Sequence, residues 1–132
     1  MTQTEQILNT RTVKIDTNLS GKENLLVTLD ATDEDVVNLA ASGAKSAFVL
    51  SSGADGSVTP TIGTIVGEGF VKVQLGGTVA PGDYLLPKSD GSGKAVACTT
   101  DGQPYSLMAM GVGVTGDIIV AKVTHGYFYV AA

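Results

Sequence analysis

Glycine, proline and Asp-Gly pairs cut this chain into apolar runs too short for anything but strands. Residues 79–96, "VAPGDYLLPKSDGSGKAV", show the pattern at its densest: an apolar run of two or three residues, then a turn signal, then the next run. Such spacing reads as tight turn, short strand, second turn, second strand. Seventeen glycines are distributed over the 132 residues in this manner. Flexible linkers are also glycine-rich, but they lack the interleaved Val, Ile and Leu found here. The expectation is an all-β chain, a small compact barrel or sandwich of short strands.

Alternation of apolar and polar residues places strands at about 11–16, 25–30, 36–40, 47–51, 62–66, 70–76, 83–86, 94–99, 108–114, 118–124 and 127–130. In the first of these Val13 and Ile15 share one face, with Thr12 and Lys14 on the other. Residues 31–42, "ATDEDVVNLAAS", carry a helical option with Thr32 or Asp33 as cap. A turn at "TDED" followed by a short strand is preferred, because the second half of the chain contains a comparable unit. "DVVNLAASGAKSAFVLSSG" from Asp35 parallels "DYLLPKSDGSGKAVACTTDG" from Asp83, and "IGTIVGEGFVKVQLGG" from Ile62 parallels "MGVGVTGDIIVAKVTHG" from Met110. The offset runs from 48 to 50, at the Lys72/Lys122 pair, and suggests a degenerate internal repeat. Pro60, Pro81, Pro87 and Pro104 all fall at expected turns or strand ends, where a missing N–H breaks no ladder.

Residues 1–10 are polar apart from Ile7 and Leu8 and show no period, so they read as a flexible N-terminal arm. Residues 11–132 read as a single β-domain, long enough to bury its own core. The net charge of −5, with scattered Lys and Arg, offers no basic face for nucleic acid. No apolar run approaches the roughly 18 residues of a membrane helix, and the first residues lack the charged-then-apolar order of a signal peptide. Cys98 is the lone cysteine and reads as a small buried hydrophobe, which fits folding in a reducing cytoplasm.

Chemistry-bearing constellations do not assemble. His125 is the single histidine, at the end of an expected strand, with no partner pattern for acid–base work. No His/Cys cluster supplies zinc ligands, and Asp90 in "SDGSGK" lacks the further acids of a calcium loop. "GVGVTG" at 111–116 precedes strand-like residues rather than a helix, so it is no dinucleotide fingerprint. Ser89, Ser92 and Lys94 share a glycine-rich turn without a base. The reading is a non-enzyme with no cofactor and no metal. Three of the seven aromatic residues, Tyr127, Phe128 and Tyr129, sit together near the C-terminus. As a strand they are apolar on both faces, which suits either a subunit contact or a central strand of a closed barrel.

The second half resembles a known family. An apolar strand ending in Gly-Thr-Val is followed by "APGDYLLPKSDGSGKAVACTTDG", then by "MGVGVTGD" and a strand of the "IIVAKV" type. This pattern is similar to the capsid cement, or head decoration, proteins of tailed bacteriophages, closely over 62–124 and loosely over 33–61. The resemblance implies a β-rich homotrimer on the outer surface of the virion head, made in the host cytoplasm. It would clamp neighbouring major capsid protein subunits and stabilise their lattice, with no catalytic residues. Ile7, Leu8, Arg11, Val13 and Ile15 are then the expected capsid contacts, through an arm that adds a strand to a neighbouring sheet edge. Tyr127, Phe128 and Tyr129 are the expected subunit contacts. The alternatives are a phage tail or fibre subunit, and a β-barrel module for carbohydrate or peptide in which Tyr84 and Tyr105 would be the platform.

Overall fold

The computed structural model describes residues 6–41, 47–53, 56 and 61–130, and among them the chain is all β without a helix. Nine strands form: β1 (Gln6–Ile15), β2 (Leu26–Leu29), β3 (Val37–Leu39), β4 (Ala47–Ser52), β5 (Thr61–Gln74), β6 (Tyr84–Pro87), β7 (Ala95–Ala97), β8 (Pro104–Ala109) and β9 (Ile118–Tyr127). They join one sheet in the order β3-β2-β4-β5-β9-β8-β6-β7, with β1 added to β5. Each of these strand pairings is antiparallel, and the sheet curls into an open half-barrel.

The strand expected at 36–40 forms as β3, so "TDED" is a turn and not a helix cap. Three boundaries differ from expectation. The runs at 62–66 and 70–76 are one strand, because Gly67-Glu68-Gly69 stays extended, with Gly69 at φ 109 and the ladder to β1 shifting register opposite it. The strand placed at 108–114 ends at Ala109 and begins earlier, at Pro104, where a strand's first residue needs no ladder N–H. Only Tyr127 of 127–130 belongs to a strand; Phe128 instead exchanges backbone bonds with the turn at 102–103 (Gly102 N–H to Phe128 O and Phe128 N–H to Gln103 O, both 2.8 Å). The arm expected over 1–10 overlaps β1, whose Gln6–Thr10 pair with β5; residues 1–5 lie outside the described residues.

The internal repeat is present as a repeated topology, in a different register. β3-β2-β4-β5 and β7-β6-β8-β9 follow the same order. The pair Val27↔Leu39 returns as Leu85↔Ala97, both partners 58 positions on. Loop bonds return too: Ala40 N–H donates to Leu26 O at 3.0 Å and Cys98 N–H to Tyr84 O at 2.8 Å, while Asn24 N–H meets Leu50 O at 2.9 Å and Gly82 N–H meets Ala109 O at 2.8 Å. Even backbone strain is shared. Asn24 (φ 68) and Asp35 (φ 62) hold the left-handed positions taken in the second half by Gly82 (φ 91) and Gly93 (φ 77). Asp35 therefore corresponds to Gly93, not to Asp83.

Register also sorts the core. Val27, Val37, Leu50 and Ile65 belong to one buried cluster with Val13, Ile15 and Leu19 of β1 and the loop after it. Their counterparts Leu85, Ala95, Ala109 and Ala121 belong to a second, larger cluster. That cluster also takes in Leu26, Val49 and Val66, which alternate to the opposite face of the first half. The first half is thus buried on both faces, its outer face closing over the inner face of the second. Each Leu or Val so buried contributes about 1.5–3 kcal/mol.

Candidate functional site

The structure divides the residues expected to touch other proteins. Val13 and Ile15 are fully buried in the first-half core, so their side chains serve the chain's own packing. Ile7 stands opposite Gly69 in the ladder, and Leu8 falls at the register shift between Ile7 and Asn9. Arg11 is exposed and pairs with Asp35 at 2.5 Å. At the other end, Tyr127 and Tyr129 are exposed and Phe128 is half-buried, held along the 101–103 turn, where Asp101 also accepts the Val130 N–H.

Arg11 leads to a feature that sequence reasoning missed. It lines an open groove of about 700 Å³ between β1, the end of β2 and the loop at 30–35. The floor is apolar, made by Leu29, Phe48 and Ile65, and the rim is acidic, made by Asp30, Asp33, Glu34 and Asp35. Leu29 lies there 43% exposed. Only Asp35 of these acids has an ion pair among the described residues. The left-handed backbone at Asp35 turns the loop back, so that its carbonyl accepts the Lys14 N–H at 2.7 Å. "TDED" was legible as a turn; that its carboxylates overhang an apolar floor depends on β4 and β5, distant in sequence.

The turns that open the second half answer to geometry rather than chemistry. "APGD" and "VTGD" are twins: Ala80 N–H donates to Asp83 Oδ2 and Val114 N–H to Asp117 Oδ2, both at 2.9 Å, with Gly82 at φ 91 and Gly116 at φ 92. Val79 and Gly113 join them by two backbone bonds of 2.9 and 3.1 Å. Gly113 faces inward, where a Cβ would stand 2.8 Å from Leu75 Cδ1, and this leaves Val112 and Val114 exposed on the other side.

Titratable groups are engaged structurally. His125 bonds through Nε2 to the Ala47 carbonyl at 2.8 Å and its ring leans on Phe48, 5.1 Å between centroids, which ties β9 to β4. Burial pushes the Cys98 thiol up to about 11, well above the reactive range. The Ser92 hydroxyl and backbone N–H hold Asp90 below the usual carboxylate range. No group of three or more His, Cys, Asp or Glu among the described residues could hold a metal ion. Tyr84 and Tyr105 stack on each other at 4.2 Å, half-buried. Among the described residues the arrangement offers surfaces for binding.

No protein-family model and no curated protein matches the chain by sequence. In structure it is similar to the N base of the head fiber gp8.5 of bacteriophage phi29, with a TM-score of 0.68 and 17% identity, over 88% of this chain and 93% of that one. The fold of the chain is the fold of that fiber base.

Proposed function

We propose that this chain is a structural, non-enzymatic protein of a tailed-bacteriophage head, a cement protein that binds the outer surface and stabilises the lattice of the major capsid protein. The observation that carries the reading is the likeness of fold to a head-fiber base over nearly its whole length. The acidic composition supports it, because a protein outside the shell meets no DNA. Attachment falls to the N-terminal stretch, Ile7, Leu8 and the exposed Arg11, since Val13 and Ile15 are packed inside. The chain acts as a homotrimer, in which three weak contacts sum to tight attachment, with exposed Tyr127 and Tyr129 and the adjoining Phe128 near the subunit contacts. The test is co-sedimentation with purified expanded heads that lack the protein. Saturable binding in multiples of three per lattice site is expected, and failure to sediment with heads overturns the proposal. A second reading, the base of a fiber, is favoured by the identity of the structural neighbour. It predicts saturation at a small number of sites per head in place of lattice-wide occupancy.

A further inference from the structure

The two halves of the chain carry the same two faces, and equivalent positions on them differ in cover. In the first half Leu26, Val49 and Val66 stand side by side across β2, β4 and β5, at 0%, 2% and 0% exposure. They share a buried cluster with Leu107 and Ala121 of the second half. In the second half the same three register positions are Tyr84, Met108 and Lys122, across β6, β8 and β9. Tyr84 and Met108 are only half-buried there and Lys122 is exposed.

The inner faces differ over a smaller area. Leu107 and Ala121 occupy the positions held in the first half by Phe48 and Ile65. In the second half these positions are fully buried beneath the first; in the first half Ile65 is equally buried, with Val27, Val37 and Leu50, against Val13, Ile15 and Leu19, and only Phe48, beside Leu29, opens into the acidic-rimmed groove. The described residues thus leave a groove open on one side and a face open on the other.

We propose that the Tyr84–Met108–Lys122 face of one copy seats in the Leu29–Phe48 groove of a second copy, head to tail, against the part of the first-half inner face that β1 leaves open. Charge selects the same occupant. Lys122 has no ion pair among the described residues, and the groove rim carries Asp30, Asp33 and Glu34 equally without one. Tyr and Met replace the Leu and Val of the internal contact, as suits a surface that must also be exposed to water. Tyr105, stacked on Tyr84 and paired with Gly126, extends the face to the threshold of Tyr127. A head-to-tail contact has two different sides, and it closes into a ring when the rotation allows. The inference rests on the self-association in the proposal above and not on attachment to heads.

The test uses the free full-length protein in sedimentation equilibrium, so that it reads the contact even if head binding fails. Lys122→Glu and Glu34→Lys are both surface changes, and circular dichroism confirms folding of each. Wild type is expected to associate at micromolar concentration, and each variant alone to associate at least about tenfold more weakly. The double variant K122E/E34K is expected to regain association, because each exchanged charge then meets its opposite at every contact. A monomeric wild type, a single variant that associates like wild type, or a double variant that stays dissociated each overturns the proposal.

Discussion

Gly93→Ala tests the joint between the halves most sharply. Gly93 has φ 77, and its carbonyl accepts the Leu26 N–H at 2.7 Å. A Cβ at this position would stand 2.6 Å from Leu26 O, 3.1 Å from Leu39 Cδ2 and 3.2 Å from Leu25 Cβ, so backbone as well as side chain would have to move. Left-handed backbone costs an L residue about 1–2 kcal/mol, and overpacking adds about 1–3 kcal/mol. The sum is about 2–5 kcal/mol, which at roughly 4 °C per kcal/mol for a chain of this size lowers Tm by about 8–20 °C. The control is Asp35→Gly at the equivalent position of the first half. It relieves a left-handed residue at φ 62 and removes the Arg11 ion pair, which is largely solvated. Both terms are about 1 kcal/mol and opposed, so Asp35→Gly is expected to change stability by less than about 1 kcal/mol. Urea denaturation followed by far-ultraviolet circular dichroism reads both. Gly93→Ala within about 0.5 kcal/mol of wild type, or Asp35→Gly equally damaging, would refute the equivalence of the two positions.

His125→Ala removes the bond to the Ala47 carbonyl and the ring contact with Phe48; a loss of about 1–2 kcal/mol is expected in the same urea titration, and no loss would mean that β9 is not tied to β4 through this ring. With its thiol pushed up to about 11, Cys98 is expected to react with a disulfide reagent at pH 8 on the order of a hundredfold more slowly in the folded protein than in urea; equal rates would contradict its burial. Deleting residues 2–5 removes no described ladder pair and is expected to leave Tm within about 2 °C, whereas deleting 2–10 strips Gln6–Thr10 from β5 and is expected to lower it by several times that, as scanning calorimetry will show.

Fold class was legible because its determinants are local. Gly82, Gly91, Gly93, Gly102 and Gly116 all take the positive φ that their turn contexts announce, and the alternation around Val13, Val27 and Val49 marks the strands between them. Boundaries were legible where alternation ends at a turn signal, and failed where it does not. Met110, Val112 and Val114 alternate like a strand, yet their glycine neighbours face inward and their side chains face water. Val13 and Ile15 alternate as an arm destined for a partner would, and equally as a strand that closes its own core; only the position of β1 against β5 distinguishes the two. The groove was out of reach because its floor comes from β2, β4 and β5 while its rim comes from the loop between β2 and β3.

The repeat was found in the wrong register for a physical reason. Sequence comparison aligns residues that look alike, and matched Asp35 with Asp83 and Lys72 with Lys122. Equivalent positions in this fold look unlike because their burial differs. Leu26, Val49 and Val66 must be apolar, since the second half covers them; Tyr84, Met108 and Lys122 take the same register positions without such cover and are amphipathic. Asn24 and Asp35 stand where Gly82 and Gly93 stand; a Cβ at Gly82 would meet open space, whereas one at Gly93 would stand 2.6 Å from Leu26 O. Two halves joined in this way cannot stay identical, because the joint places one outer face inside and leaves the other outside. Divergence in such a chain is concentrated at the positions that the joint makes inequivalent, and those positions mark both ends of the molecule as surfaces built to the same pattern as its interior.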